Sequence, residues 1–137
     1  MKAQAAFEYM LVVMIVMAFL VPLWTYTMVV NNEAAGELAL AYAKNAAESI
    51  TSAADMVYSQ GPPAKVSINV FIPDGVNETI INNRTVILNM MYSGGITSIF
   101  SVSRAALNGT IPSTRGMHRM EVRAVDNANY GIDIQRA

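Results

Sequence analysis

Hydrophobic and polar residues are segregated along this chain, and the first half divides into two stretches of different pattern. Between Glu8 and Glu33 no charged residue occurs. The most apolar part, Met10 to Val30 (MLVVMIVMAFLVPLWTYTMVV), would reach roughly 30 Å as a helix, the thickness of a bilayer's hydrocarbon core. Too little chain remains to wrap such a rod on all sides. The pattern therefore predicts a membrane helix and not the buried helix of a soluble protein. Pro22 cannot donate to the carbonyl one turn back, which predicts a kink or local loosening. Trp24 and Tyr26 fall near the far end, where amphipathic aromatic rings favour the membrane interface.

After Asn31-Asn32-Glu33 the composition changes but the helical period continues. Leu40, Ala43, Ala47, Ile50, Ala54 and Val57 recur at spacings of three and four and make one apolar stripe. Lys44, Glu48 and Asp55 lie off it. Gly36 is a weak point at which the rod could flex. Ser59-Gln60-Gly61-Pro62-Pro63 closes the helix, because a glycine followed by two prolines cannot continue it.

From Lys65 the period switches to two. Val66, Ile68, Val70 and Ile72 alternate with Ser67, Asn69 and Phe71 up to a turn at Pro73-Asp74-Gly75. Thr79 to Ile81 and Thr85 to Met91 read as a hairpin about Asn82-Asn83. Ile96 to Ser103 follows a turn at Ser93-Gly94-Gly95. Met117 to Val125 sets Met120, Val122 and Ala124 on one side and Arg119, Glu121 and Arg123 on the other. Asn127 to Asn129 turns into a last strand at Tyr130 to Ile134. The expected fold is α+β: residues 4–60 as a long hydrophobic, then amphipathic helix, and residues 61–137 as a β-rich head. About five or six strands on short connections imply an antiparallel sheet against the helical stripe.

Composition narrows the function classes. The 137 residues fit one domain plus the membrane segment, and the net charge of −1 gives no reason to expect nucleic acid as a partner. There is no Cys, which excludes disulfides, thiolate metal sites and Cys nucleophiles. One His makes a His-based metal site a poor expectation.

The residues before the apolar run discriminate between kinds of membrane segment. A removable secretory signal has a basic start, roughly 7–15 apolar residues and a small-residue cleavage site after them. Here the run is longer, no such site follows, and the acidic Glu8 stands directly before it. A simple anchor gains nothing from a carboxylate there, since charge beside hydrocarbon is costly. The segment Lys2-Ala3-Gln4-Ala5-Ala6-Phe7-Glu8-Tyr9 resembles the class III prepilin signal of archaeal type IV pilins. In that family a basic and a small residue precede the cut, and Gln-x-Ser-x-Glu-Tyr leads into the hydrophobic segment. Gln4, Glu8 and Tyr9 match; Ala6 stands where Ser is usual, and Ala3 where Gly is common. The resemblance implies that a prepilin peptidase cuts between Ala3 and Gln4, removing residues 1–3 and leaving the apolar stretch on the mature chain.

The chemistry of that junction can be stated without the family. A cut before Gln4 creates an α-amino group that is wholly or partly positive at neutral pH. Glu8 lies four residues on, on the same helix face, and a carboxylate in the first turn suits the helix dipole. In a bundle, Glu8 could instead meet the Gln4 amine of a neighbouring subunit and set the axial register. The plainer alternative leaves Glu8 as a solvated charge at headgroup level.

No motif in the head designates an active site. His118 lies in a strand pattern with no Ser or Asp assigned to it, and Gly94-Gly95 lacks the Lys-Ser or Lys-Thr of a phosphate loop. The expectation is a protein that is not an enzyme and uses no cofactor. Three N-x-S/T sequons, at Asn77, Asn83 and Asn108, sit at or near predicted turns and are candidate N-glycan sites. The expected function is a structural subunit of an extracellular, adhesive filament, inserted in the membrane as a precursor. It would polymerise with itself through the N-terminal helix, with the peptidase and pilus assembly machinery as partners. Two other readings stay open: a monomeric membrane-anchored binding module, and a minor pilin of a secretion or adhesion apparatus.

Overall fold

The computed structural model describes residues 2–92 and 94–137, with the side chains of Lys2 and Ala3 left aside. Met1 of the expected leader, the Ala3 side chain at the expected cut and Ser93 of the expected turn lie outside the described residues. One α-helix, α1 (Lys2–Gln60), is followed by seven strands: β1 (Lys65–Ile72), β2 (Val76–Asn82), β3 (Thr85–Tyr92), β4 (Gly95–Val102), β5 (Leu107–Gly109), β6 (Gly116–Ala124) and β7 (Ile132–Arg136). The chain forms two compact units, Met1–Ala35 and Gly36–Ala137. The fold is α+β.

In the first unit α1 continues through Pro22 without a break. The Thr25 hydroxyl donates to the Pro22 carbonyl and that of Thr27 to the Leu23 carbonyl, both at 2.8 Å. These bonds satisfy the two threonine hydroxyls inside the apolar run, which would otherwise be costly to place in hydrocarbon.

In the second unit the rest of α1 packs into a core built with both sheets. The expected stripe is buried at Ala43, Ala47, Ile50, Ala54 and Val57 and half-buried at Leu40; Ala46, Thr51 and Ala53 widen it. Alanine dominates because a methyl lets the helix backbone come close to the sheets. Gly36 has a packing reason beyond flexibility: a Cβ there would stand 2.6 Å from Cε2 of the Tyr92 ring. At the C-terminus Gly61 takes a positive φ of 70°, and its N–H donates to the carbonyls of Val57 and Tyr58 at 3.1 and 3.2 Å. This satisfies carbonyls that the helix end would leave open.

The one antiparallel sheet expected of the head is instead two sheets. One has the order β1-β6-β7-β5 and the other β2-β3-β4. The chain leaves the first at Pro73–Gly75, where Gly75 has a φ of 87° and its carbonyl accepts from the N–H of Met91 at 2.9 Å. The four-stranded sheet is mixed, since β5 pairs with β7 in parallel. Its inner face supplies Val70, Ile72, Met120, Val122, Ile132 and Ile134 to the core, and the three-stranded sheet supplies Val86, Leu88 and Met90. Each fully buried aliphatic side chain of this size contributes about 1.5–3 kcal/mol. The β2–β3 hairpin turns on Asn83-Arg84, one residue later than expected, because Asn82 still pairs with Thr85. Asn83 has the left-handed φ of 53°.

A polar seam ties the helix to β4 and the residues after it. The Thr51 hydroxyl meets that of Ser101 at 2.8 Å. Asp55, off the apolar stripe as expected, is half-buried and accepts from the Ser103 hydroxyl at 2.7 Å and the Arg104 N–H at 2.8 Å.

Candidate functional site

All side chains from Gln4 to Ala35 are exposed. Exposure reaches 75% at Phe19, 68% at Trp24 and 69% at Tyr26, so large apolar and aromatic groups stand uncovered on every side of the helix. A soluble monomer rarely leaves a contiguous surface of this kind to water. The helix is long and apolar enough to cross a membrane. Hydrocarbon or neighbouring helices would both satisfy it, because neither needs backbone partners and each removes the side chains from water.

Glu8 and Tyr9 lie at the entrance to this surface and are both exposed, Tyr9 to 73%. Gln4 is one turn earlier on the face of Glu8. Among the described residues Glu8 has no ion-pair partner within the chain; the salt bridges found are Lys44–Glu48, Lys65–Glu121, Arg115–Asp74 and Arg123–Glu121. Within the last pair, the hydrogen bond from Arg123, helped by the nearby Lys65 charge, holds the Glu121 carboxyl below its ordinary range.

The three sequon asparagines are exposed but differ in setting. Asn83 is in the β2–β3 turn. Asn77 is at a register shift in β2, and its partner Thr79 already donates its hydroxyl to the Ile111 carbonyl. Asn108 is the middle residue of β5, paired with Asp133. His118 is buried on the inner face of β6, between the exposed Met117 and Arg119: Nε2 lies 2.7 Å from the Thr114 carbonyl, and among the described residues Nδ1 has no partner. In the neutral ring Nε2 therefore carries the proton and donates it to that carbonyl, with the Thr114 hydroxyl a further 3.4 Å contact of the same nitrogen. Among the described residues no three His, Asp or Glu side chains are grouped as metal ligands.

A polar cleft of about 520 Å³ opens in the second unit where α1 ends. Tyr58, Arg104, Asp126, Asn127, Asn129 and Tyr130 line it, together with backbone from Gly61 and Gly131. The sequence marks Asn127 to Asn129 only as a turn and gives no cue for Tyr58 or Arg104, which lie far from it along the chain. Comparison of the chain with protein families, curated proteins and solved structures finds no match.

Proposed function

We propose that this chain is a structural subunit of a type IV pilus-like filament, and that its uncovered N-terminal helix is the polymerisation element. The observation that carries this reading is the exposed apolar helix with a carboxylate at its entrance, continuous in sequence with a unit that has its own core. Before assembly the helix lies in the membrane, and a prepilin peptidase cuts between Ala3 and Gln4. After assembly the helices of many copies cover one another, and the heads stand at the surface of an extracellular filament. Membrane and bundle are interchangeable environments for such a helix, so lifting it from one to the other costs little in apolar exposure. Glu8 makes the difference between them: unpaired beside lipid it is costly, and in a bundle the new Gln4 amine of a neighbour can neutralise it.

Two measurements on the native surface fraction test the reading. Intact mass and N-terminal sequencing of the assembled material should give a chain that starts at Gln4. Electron microscopy of the same fraction should show thin filaments that contain it. Retained Met1 in assembled material would exclude the cut. A correctly cut chain found only as monomers in the membrane would exclude polymerisation.

A further inference from the structure

We propose that the cleft at the end of α1 is a binding site for a neutral saccharide, an activity beyond filament formation and independent of it. Its lining has the chemistry that such a ligand requires. Arg104 offers only donors, Asp126 only acceptors, and Asn127 and Asn129 both, which together suit hydroxyl groups that donate and accept at once. The two charges are opposite in sign and exposed. Among the described residues neither Arg104 nor Asp126 forms an ion pair. The charges balance, so the cleft has no bias toward a phosphate or an ammonium group. A volume of about 520 Å³ falls within the usual range for small-molecule sites.

The aromatic part rests on the loop backbone. The Tyr58 ring packs against Gly131, where a Cβ would come within 3.2 Å of Cε2, so a residue with a side chain there would push the ring away. With 52% of Tyr58 exposed, one side of the residue rests on backbone and the rest is open for the C–H face of a sugar ring. The loop that carries the amides is also held. The Val125 N–H donates to the Gly131 carbonyl at 3.0 Å, and the N–H groups of Gly131 and Ile132 both donate to the Ala106 carbonyl. The Asn129 N–H donates to Oδ1 of Asn127 at 3.1 Å. Loop backbone held in this way does not have to be ordered when the ligand arrives.

The test uses the full chain, produced without glycans and held in a detergent that has no sugar headgroup. Maltotriose, mannotriose and triacetylchitotriose are titrated separately, with inorganic phosphate as the anion control, and saturation-transfer NMR reads contact with the sugar C–H groups. At least one trisaccharide should receive saturation. Tyr58→Ala and Asn129→Ala should each weaken its binding roughly tenfold. Tyr58→Phe keeps the ring and should bind within a few-fold of the parent, which separates lost stacking from lost folding. Phe100→Ala, exposed on β4, should change nothing. Silence from all three sugars, binding by phosphate alone, or parent-like binding by both Tyr58→Ala and Asn129→Ala would overturn the proposal.

Discussion

Gly109 and Gly61 both have positive φ, at 131° and 70°, yet the two positions differ in what a side chain would meet. Around Gly61 there is open space, so alanine would be opposed only by its own left-handed backbone, a cost of about 1–2 kcal/mol. At Gly109 a methyl group would run into the Ile134 backbone, with the carbonyl carbon 2.8 Å away, where β5 and β7 pair in parallel. Strain and collision then add, and Gly109→Ala should lower the stability of the head by roughly 2–4 kcal/mol. Denaturant titration of the two variants checks this: the Gly109→Ala midpoint should fall clearly below that of Gly61→Ala. Equal midpoints would show that β5 yields to the methyl. Gly61 could be read from the sequence, because the two prolines behind it announce a helix end. Gly109 could not, since its constraint comes from a residue 25 positions away in the chain.

At the level of whole elements, legibility depended on whether a segment keeps apolar residues on its inner face. The stripe of α1 and the alternation of β1 and β6 do, and the apolar side of each faces the core. β4 does so only at Ile99. Ile96, Phe100 and Val102 are exposed to 69%, 70% and 58%, while Thr97, Ile99 and Ser101 are half-buried, and Ser103, just after the strand, is buried. Its inner face is mixed, with Ile99 packed against the core and Ser101 hydrogen-bonded to Thr51 of α1, and a hydrophobic pattern cannot display that bond. The three-residue β5, its parallel pairing and the division into two sheets are equally silent, because each is decided by residues distant in sequence. The seam itself can be tested. Asp55→Ala takes the acceptor from the buried Ser103 hydroxyl and the Arg104 N–H, a loss of roughly 1–3 kcal/mol for a buried unsatisfied donor. Asp55→Asn keeps an acceptor oxygen and should recover part of that loss. Thermal unfolding should therefore rank parent above Asp55→Asn above Asp55→Ala; an Asn variant no better than Ala would mean that the carboxylate's charge, not the acceptor geometry, holds the seam.

For the molecule as a whole, the proposed function has one helix serve two environments, and a test at Glu8 separates a filament subunit from an anchored module. In the proposed filament, Glu8 pairs with the Gln4 amine of a neighbour where water is scarce. Glu8→Gln preserves size and most hydrogen bonding but removes the charge. The amine would then be buried without its counter-ion, at a cost of about 3–5 kcal/mol for a fully buried pair. Repeated at every subunit, that cost should abolish filaments or reduce them severely. Cleavage and membrane insertion should stay near the parent level, because neither requires the pair. A plain anchor responds in the opposite direction: it tolerates the change or inserts slightly better, since a charge beside hydrocarbon has gone. The measurement is filament number by microscopy together with subunit abundance in membranes, for parent and Glu8→Gln. Parent filaments that vanish in the variant at unchanged membrane abundance would establish the register role. Equal filaments in both would remove that role from Glu8, and no filaments in either would point to the anchored module.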